Sequence, residues 1–169
     1  MSTPSKSNNI NNLRLVQLEK AARKLTLYSR ALHQQLAWLR EEMVNEKQAV
    51  LTSEDDVSES SARLQEIEEL MAQLQEEIDA LRMTSPLQDN GSLAAREQEM
   101  EELAEERHEE LELLAHIQTM LQMHQNTHRK IKQMIATLMK EIHCVREREK
   151  IVVLAALRSR MFKIIAPKI

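Results

Sequence analysis

The sequence predicts an all-α protein, an elongated coiled coil whose two long helices form an antiparallel helical hairpin that joins a multi-helix bundle with partner chains. The 169 residues include one Gly, three Pro and one each of Trp, Tyr and Phe. A packed globular domain of this length normally carries more turn formers and aromatic residues. Every Gly and Pro lies at Pro4, Pro86, Gly91 or Pro167, so two uninterrupted stretches of similar length remain for long helices.

The predicted division of the chain follows these helix breakers. Its parts are a disordered polar N-terminus (1–12), a long coiled-coil helix (13–83), a loop (84–92), a second coiled-coil helix (93–163) and a C-terminal tail (164–169). The loop is predicted because it concentrates nearly all the turn-forming residues of the chain.

The first predicted helix holds one heptad frame that starts with Leu15 at a and Leu18 at d and continues to Leu81. The frame keeps its phase through the polar segment from Ser53 to Ser61, which favours one continuous helix of about 70 residues. The alternative is a break at residues 53–56, Ser-Glu-Asp-Asp, which resembles a capping box and could begin a new helix.

The second predicted helix also keeps a single frame, from Leu93 to Val145, with its polar exceptions in the first two thirds. Two helices of nearly equal length around one short loop predict the hairpin, a rod on the order of 100 Å long. A fold about residue 88 places His124 and His128 near residues 52 and 48, beside the polar seam position Glu46. Glu46, His124 and His128 are therefore predicted to form a polar layer that fixes the register.

The spacing of His124 and His128, i and i+4 on one face, is also that of zinc-binding helices. The Glu that usually accompanies such a pair is absent, and Cys144 lies several turns away. The register layer is therefore favoured over a metal site, and no metal or cofactor is expected.

Charge is divided unevenly along the chain. Residues 1–50 carry eight Lys/Arg against four Asp/Glu, residues 51–112 four against twenty, and residues 113–169 eleven against three. In a hairpin both basic blocks meet at the end that bears the termini, where they can contact an anionic surface. Direct reading of nucleic acid is not favoured, because no aromatic residues or glycines are interleaved with the basic ones.

A second set of apolar residues lies outside the a and d positions, mostly in the half of the predicted hairpin that bears the termini. The residues assigned to a partner interface are Leu27, Trp38, Met120, Met134, Met139, Ile151, Leu154 and Leu157. Scattered exposed apolar residues are normal and need no partner. Their concentration in one half, together with Trp38, favours packing against partner helices.

The sequence contains no Gly-rich phosphate loop, nucleophile elbow or metal-ligand cluster, so it predicts neither an enzyme nor a small-molecule substrate. The polar N-terminus lacks the apolar centre of a signal peptide, and membrane spanning is unlikely because no long apolar run occurs. The single Cys144 fits a reducing compartment. We expect a cytoplasmic or nuclear protein.

These features predict a non-enzymatic coiled-coil structural subunit of a heteromeric protein assembly. The partners would be other coiled-coil subunits, with a hetero-oligomer favoured over a homodimer. Such architecture is frequent in cytoskeletal scaffolds of the microtubule, spindle and kinetochore type, so association with the cytoskeleton is the first expectation. The alternatives are a helical adaptor subunit of a transcription or chromatin complex and a vesicle-tethering rod.

Overall fold

The computed structural model describes residues 6–84 and 90–165 and shows two α-helices there, with no strand in these ranges. Helix α1 spans Lys6–Thr84 and helix α2 spans Asn90–Ile165. Buried side chains of the two helices pack against each other. The all-α class predicted from the sequence is therefore confirmed.

The helix ends differ somewhat from the predicted division of the chain. Helix α1 begins at Lys6, inside the segment 1–12 that was predicted to be disordered. Ser and Asn are only mildly unfavourable in a helix, by roughly 0.5 kcal/mol each, so a helix that is already nucleated can extend through them. The predicted loop 84–92 and tail 164–169 lie largely outside the described residues, and the division into five parts stays a prediction.

Helix α1 is continuous through residues 53–56, where the sequence left a break open. Ser53 occupies a d position of the seam, and its side chain is 8% exposed. The seam thus continues in phase across the polar segment, and packing outweighs the local capping signal. The sequence frame describes the rest of α1 equally well, since every a and d position from Leu15 to Leu81 is buried or half-buried.

The chain divides into two compact units. The terminal unit comprises residues 1–44 and 129–169, and the central unit comprises residues 45–128. In each unit a segment of α1 is paired with a segment of α2. Neither helix, over its described residues, has a stretch long and apolar enough to cross a membrane.

The terminal unit has a mostly apolar seam, in which Ser29 and Glu149 are half-buried polar exceptions. Leu39 is 2% exposed and belongs to a cluster of buried residues at a and d positions of both helices. The cluster contains Leu32, Leu36, Leu39, Ile131, Leu138, Ile142 and Val145, with Leu25, Met43 and Ile135 packed against it. Aliphatic side chains from both helices therefore hold this unit together.

The central unit has a mixed seam. Ile67, Leu74 and Ile78 are buried, and so are the hydroxyl side chains of Ser53 and Ser60. A further polar contact crosses between d positions, where Ser60 donates a hydrogen bond to the carboxylate of Glu110. Polar groups thus occupy seam positions that are apolar in the core cluster of the terminal unit.

The helices run antiparallel within each unit, as a hairpin requires. In the terminal unit Glu19 contacts Arg160 and Thr26 contacts Glu149, so partner numbers fall as α1 numbers rise. In the central unit the same order holds, because Ser60 contacts Glu110 and Arg82 contacts Glu97. The supercoiled geometry of a coiled coil and the bundle with partner chains remain predictions.

Candidate functional site

Exposed apolar side chains are concentrated in the terminal unit. Nineteen large hydrophobic residues are exposed in the part of the chain that the structure describes, and thirteen of them belong to this unit. They are Leu13, Val16, Leu27, Tyr28, Trp38, Val44, Met134, Met139, Ile151, Val153, Leu154, Leu157 and Met161. A pair of helices covers little beyond its a and d positions, so apolar residues elsewhere on the helices stay uncovered.

The structure brings most of the predicted partner-interface residues into this unit. Leu27, Trp38, Met134, Met139, Ile151, Leu154 and Leu157 are exposed there. Met120 is half-buried and lies in the central unit, apart from the others. The sequence-based interface did not include six further exposed residues of this unit, although their positions outside the seam could have indicated them. They are Leu13, Val16, Tyr28, Val44, Val153 and Met161. The role of all these residues in binding a partner stays a prediction.

Cross-helix contacts divide the surface of the terminal unit into two flanks. With Leu15 and Leu93 at a, Tyr28 and Glu141 both occupy g positions, and the tyrosine hydroxyl donates a hydrogen bond to the carboxylate. On the opposite flank, e positions meet. Arg160 donates to Glu19 at 2.5 Å, and Arg146 Nη2 lies 3.1 Å from His33 Nε2.

We call these flanks the g-side and the e-side. The g-side comprises the g positions and the neighbouring c positions of both helices, and its exposed large apolar residues are Tyr28, Trp38, Met134 and Ile151. The e-side comprises the e and b positions, and its exposed apolar residues are Val16, Val44, Met139, Val153 and Leu157. Among the exposed apolar residues that the structure describes, the aromatic ones therefore lie on the g-side, and aromatic residues are the type that most often anchors protein interfaces.

The two units carry opposite charge. The terminal unit contains eighteen Lys/Arg against six Asp/Glu, a net charge of +12, and the central unit contains five against twenty-one, a net charge of −16. Charged residues also surround the apolar part of the g-side, where Lys24, Lys130, Arg148 and Arg158 lie at c and g positions. None of these four forms an ion pair with another described residue.

No family model, no curated protein and no solved structure matches the chain. Over the described residues, no group of three or more His, Cys, Asp and Glu side chains could hold a metal ion. Cys144 is exposed on α2.

Two of the three residues predicted as a register layer are in contact. In the central unit, His124 Nδ1 lies 2.6 Å from Glu46 Oε1, and both side chains are mostly buried. His128 Nδ1 is buried without a hydrogen-bond partner among the described residues. The pair supplies a polar contact across the seam, whose effect on register remains a prediction.

The position of this pair corrects the simple register expected from the sequence. His124 faces Glu46, whereas a fold about residue 88 places it opposite residue 52. Within the central unit, two contacts between d positions, His124 with Glu46 and Ser60 with Glu110, correspond to a fold about residue 85. The contact between the e positions Arg82 and Glu97 corresponds to a fold about residue 90. Different sides of a helix reach the partner at different heights along its axis, so one centre cannot describe every contact.

The hydrogen bond between Tyr28 and Glu141 on the g-side also affects the ionisation of the tyrosine. The bond to the carboxylate, the partial desolvation of the ring hydroxyl and the negative charge of Glu141 together raise the pKa of Tyr28 above its ordinary value of 10.0. The phenol is consequently neutral near pH 7 and remains a hydrogen-bond donor between the two helices.

Proposed function

We propose that this protein is a non-enzymatic coiled-coil structural subunit of a heteromeric assembly, whose terminal unit packs with helices of other chains. The observation that carries the proposal is the concentration of thirteen exposed large hydrophobic residues in that unit. Apolar surface that is concentrated in one region of a chain often marks an interaction site. Burial stabilises an assembly by about 25 cal/mol for each Å² of apolar area removed from water.

The class of assembly is proposed from architecture. Long helices with few turn formers suit an elongated scaffold, and we place the protein first among cytoskeletal scaffolds of the microtubule, spindle or kinetochore type. This assignment is an analogy at the level of the fold. It implies a cytoplasmic or nuclear location and partners that are themselves coiled-coil subunits.

Affinity purification from the native organism, followed by mass spectrometry, tests the proposal. The full chain should co-purify with other helical proteins, and the variant W38E/L154E should lose them because charged groups would enter an apolar contact. The matched control L70E/L113E also places one glutamate on each helix, at residues of similar exposure in the central unit. The control should keep the partners.

Two results would contradict this function. Retention of native partners by W38E/L154E would show that the terminal unit is not the docking region. A wild-type chain that purifies alone and stays monomeric at micromolar concentration would show that no heteromeric assembly forms.

A second candidate is a helical adaptor in a transcription or chromatin complex, favoured by the net charge of +12 on the terminal unit. A basic surface binds nucleic acid by displacing counterions, and the affinity then falls steeply with salt. Titration with duplex DNA at several salt concentrations tests it. Tight binding with a steep salt dependence, without helical partners, would favour the adaptor over the scaffold.

A further inference from the structure

We infer that the g-side of the terminal unit binds an acidic amphipathic helix of a partner chain, with Tyr28 and Trp38 as its aromatic anchors. The inference rests on the proposed function and adds the chemistry of the partner. It combines two properties of the g-side, namely its exposed aromatic residues and its cations without ion-pair partners.

The apolar part of the g-side has the composition of a helix-binding groove. Trp38 is 56% exposed and Tyr28 46% exposed on α1, while Met134 and Ile151 contribute apolar surface from α2. Trp and Tyr are enriched among the residues that dominate binding energy, and an amphipathic helix buries its apolar stripe in such a groove. The side chains of α1 and α2 leave Trp38 more than half exposed to solvent.

The charged part of the g-side specifies an acidic partner. Lys24, Lys130, Arg148 and Arg158 form no ion pairs with other described residues. In an assembly, acidic residues that flank the apolar stripe of a partner helix would meet these cations. Complementary charge of this kind speeds association and excludes partners of the wrong sign.

A second copy of this chain fits the g-side poorly. Its terminal unit carries the same net charge of +12, so two g-sides would repel each other. Its central unit has the required negative charge but exposes fewer large apolar residues, six against thirteen, and none of the six is aromatic. They are Leu51, Leu70, Met83, Leu111, Leu113 and Met123.

Charge does not by itself select the g-side, because the e-side also carries many Lys and Arg residues. The aromatic anchors decide between the flanks. The e-side offers only aliphatic residues and Met139, and contacts among its own e positions, such as that between Glu19 and Arg160, occupy part of it.

Trp38 is the single tryptophan of the chain and reports on the g-side directly. The probe is a synthetic helical peptide of about four heptads with Leu at a and d and Glu at e and g. A comparison peptide has Lys in place of Glu. At low salt the acidic peptide should shift Trp38 emission to shorter wavelength at about tenfold or lower concentration than the basic peptide, whose attraction to the acidic central unit does not cover Trp38. The difference should shrink in 1 M salt, where the screening length is about 3 Å.

Two methionines provide matched variants. Met134 at a g position and Met139 at an e position are 48% and 51% exposed on the same helix. Met134→Ser should weaken binding of the acidic peptide about tenfold, since an apolar side chain is lost from the contact, while Met139→Ser should leave it unchanged. Circular dichroism checks that both variants remain helical.

Three outcomes would overturn the inference. Equal shifts of Trp38 emission by the acidic and basic peptides would show that the g-side does not recognise charge. Equal weakening by the two Met variants would place binding away from the g-side. Concentration-dependent burial of Trp38 in the chain alone, with dimers in sedimentation, would identify a second copy as the occupant. If native partners still co-purify while the acidic peptide fails to bind, the proposed scaffold stands and only the partner chemistry is wrong.

Discussion

The terminal and central units are built from the same two helices but distribute polar and apolar residues in opposite ways. The terminal unit has an apolar core cluster in its seam and further apolar residues on its basic outer surface. The seam of the central unit contains Ser53, Ser60 and the pair of Glu46 and His124. The net charge of this unit is strongly negative. The same two helices thus leave many large apolar residues exposed in one region and fewer in the other.

Because of this difference in composition, we expect the two seams to differ in their effects on stability and on helix register. Aliphatic layers contribute stability in proportion to the area they bury, but they accept many registers. Polar layers contribute less stability and penalise every register that leaves a polar group unpaired. We therefore expect the terminal unit to be the region most sensitive to loss of apolar volume and the central unit to be the region that determines alignment.

The largest expected effect is in the apolar seam. Leu39→Ala should reduce the free energy of unfolding of the terminal unit by about 3 kcal/mol, because it leaves a cavity in the core cluster. Hydrogen exchange followed by mass spectrometry would report this as faster exchange, on the order of a hundredfold, near Leu39 and its partners on α2.

Trp38→Ala is the neighbouring control for Leu39→Ala. In the isolated chain it should change exchange little, since Trp38 is exposed and Leu39 is buried. Similar losses from both variants would contradict the division between seam and outer surface.

An intermediate effect of opposite sign is expected in the central unit. Replacing Glu46 and His124 together by Leu should raise the free energy of unfolding by about 1 to 2 kcal/mol, because a mostly buried polar pair is exchanged for an apolar contact. Urea unfolding measures the gain. His124→Leu alone should not show it, since the carboxylate of Glu46 would remain in the seam without its partner.

A loss of stability in the double Leu variant would mean that the pair contributes net stability to the seam. The two units would then differ in composition, but both seams would contribute net stability.

The smallest expected effect is a shift in the pKa of the Tyr28 hydroxyl. The single Tyr28 should ionise above pH 10.0, and Glu141→Ala should return its pKa toward that value. Because the folded pKa is the higher one, the stabilisation from this bond is present below about pH 10 and is lost as pH rises through the folded pKa. Ultraviolet absorbance follows the phenolate.

Glu149→Ala is the matched control for that titration, because Glu149 accepts a hydrogen bond from Thr26 on the same pair of helices. It should leave the tyrosine titration unchanged. An ordinary pKa for Tyr28 in the wild-type chain would show that g positions do not meet as described.

The seam was the most predictable part of the fold, since the heptad pattern depends only on which residue types recur along each helix. The frame from Leu15 to Leu81 identifies the buried positions of α1, and that from Leu93 to Val145 does so for α2 except at exposed Arg96. Arg96 instead contacts the carboxylates of Glu77 and Glu99. A heptad pattern does not indicate that a long charged side chain at a seam position can extend outward and pair with charged residues beside the seam.

The candidate site was less predictable. Residues outside the seam could be identified, but their division into a g-side and an e-side requires knowledge of which helix edges meet. The contact between Tyr28 and Glu141 supplies this information. The offset that brings His124 to Glu46 also depends on axial geometry that symmetrical folding about a loop does not include.

The unequal charge of the two units has a practical consequence for handling the protein. Its net charge of −4 and isoelectric point near 5.9 are averages over regions of opposite sign. At neutral pH and low ionic strength the chain should therefore adsorb to both cation-exchange and anion-exchange resins. Near its isoelectric point, attraction between basic and acidic regions of different molecules should cause turbidity that clears on addition of salt.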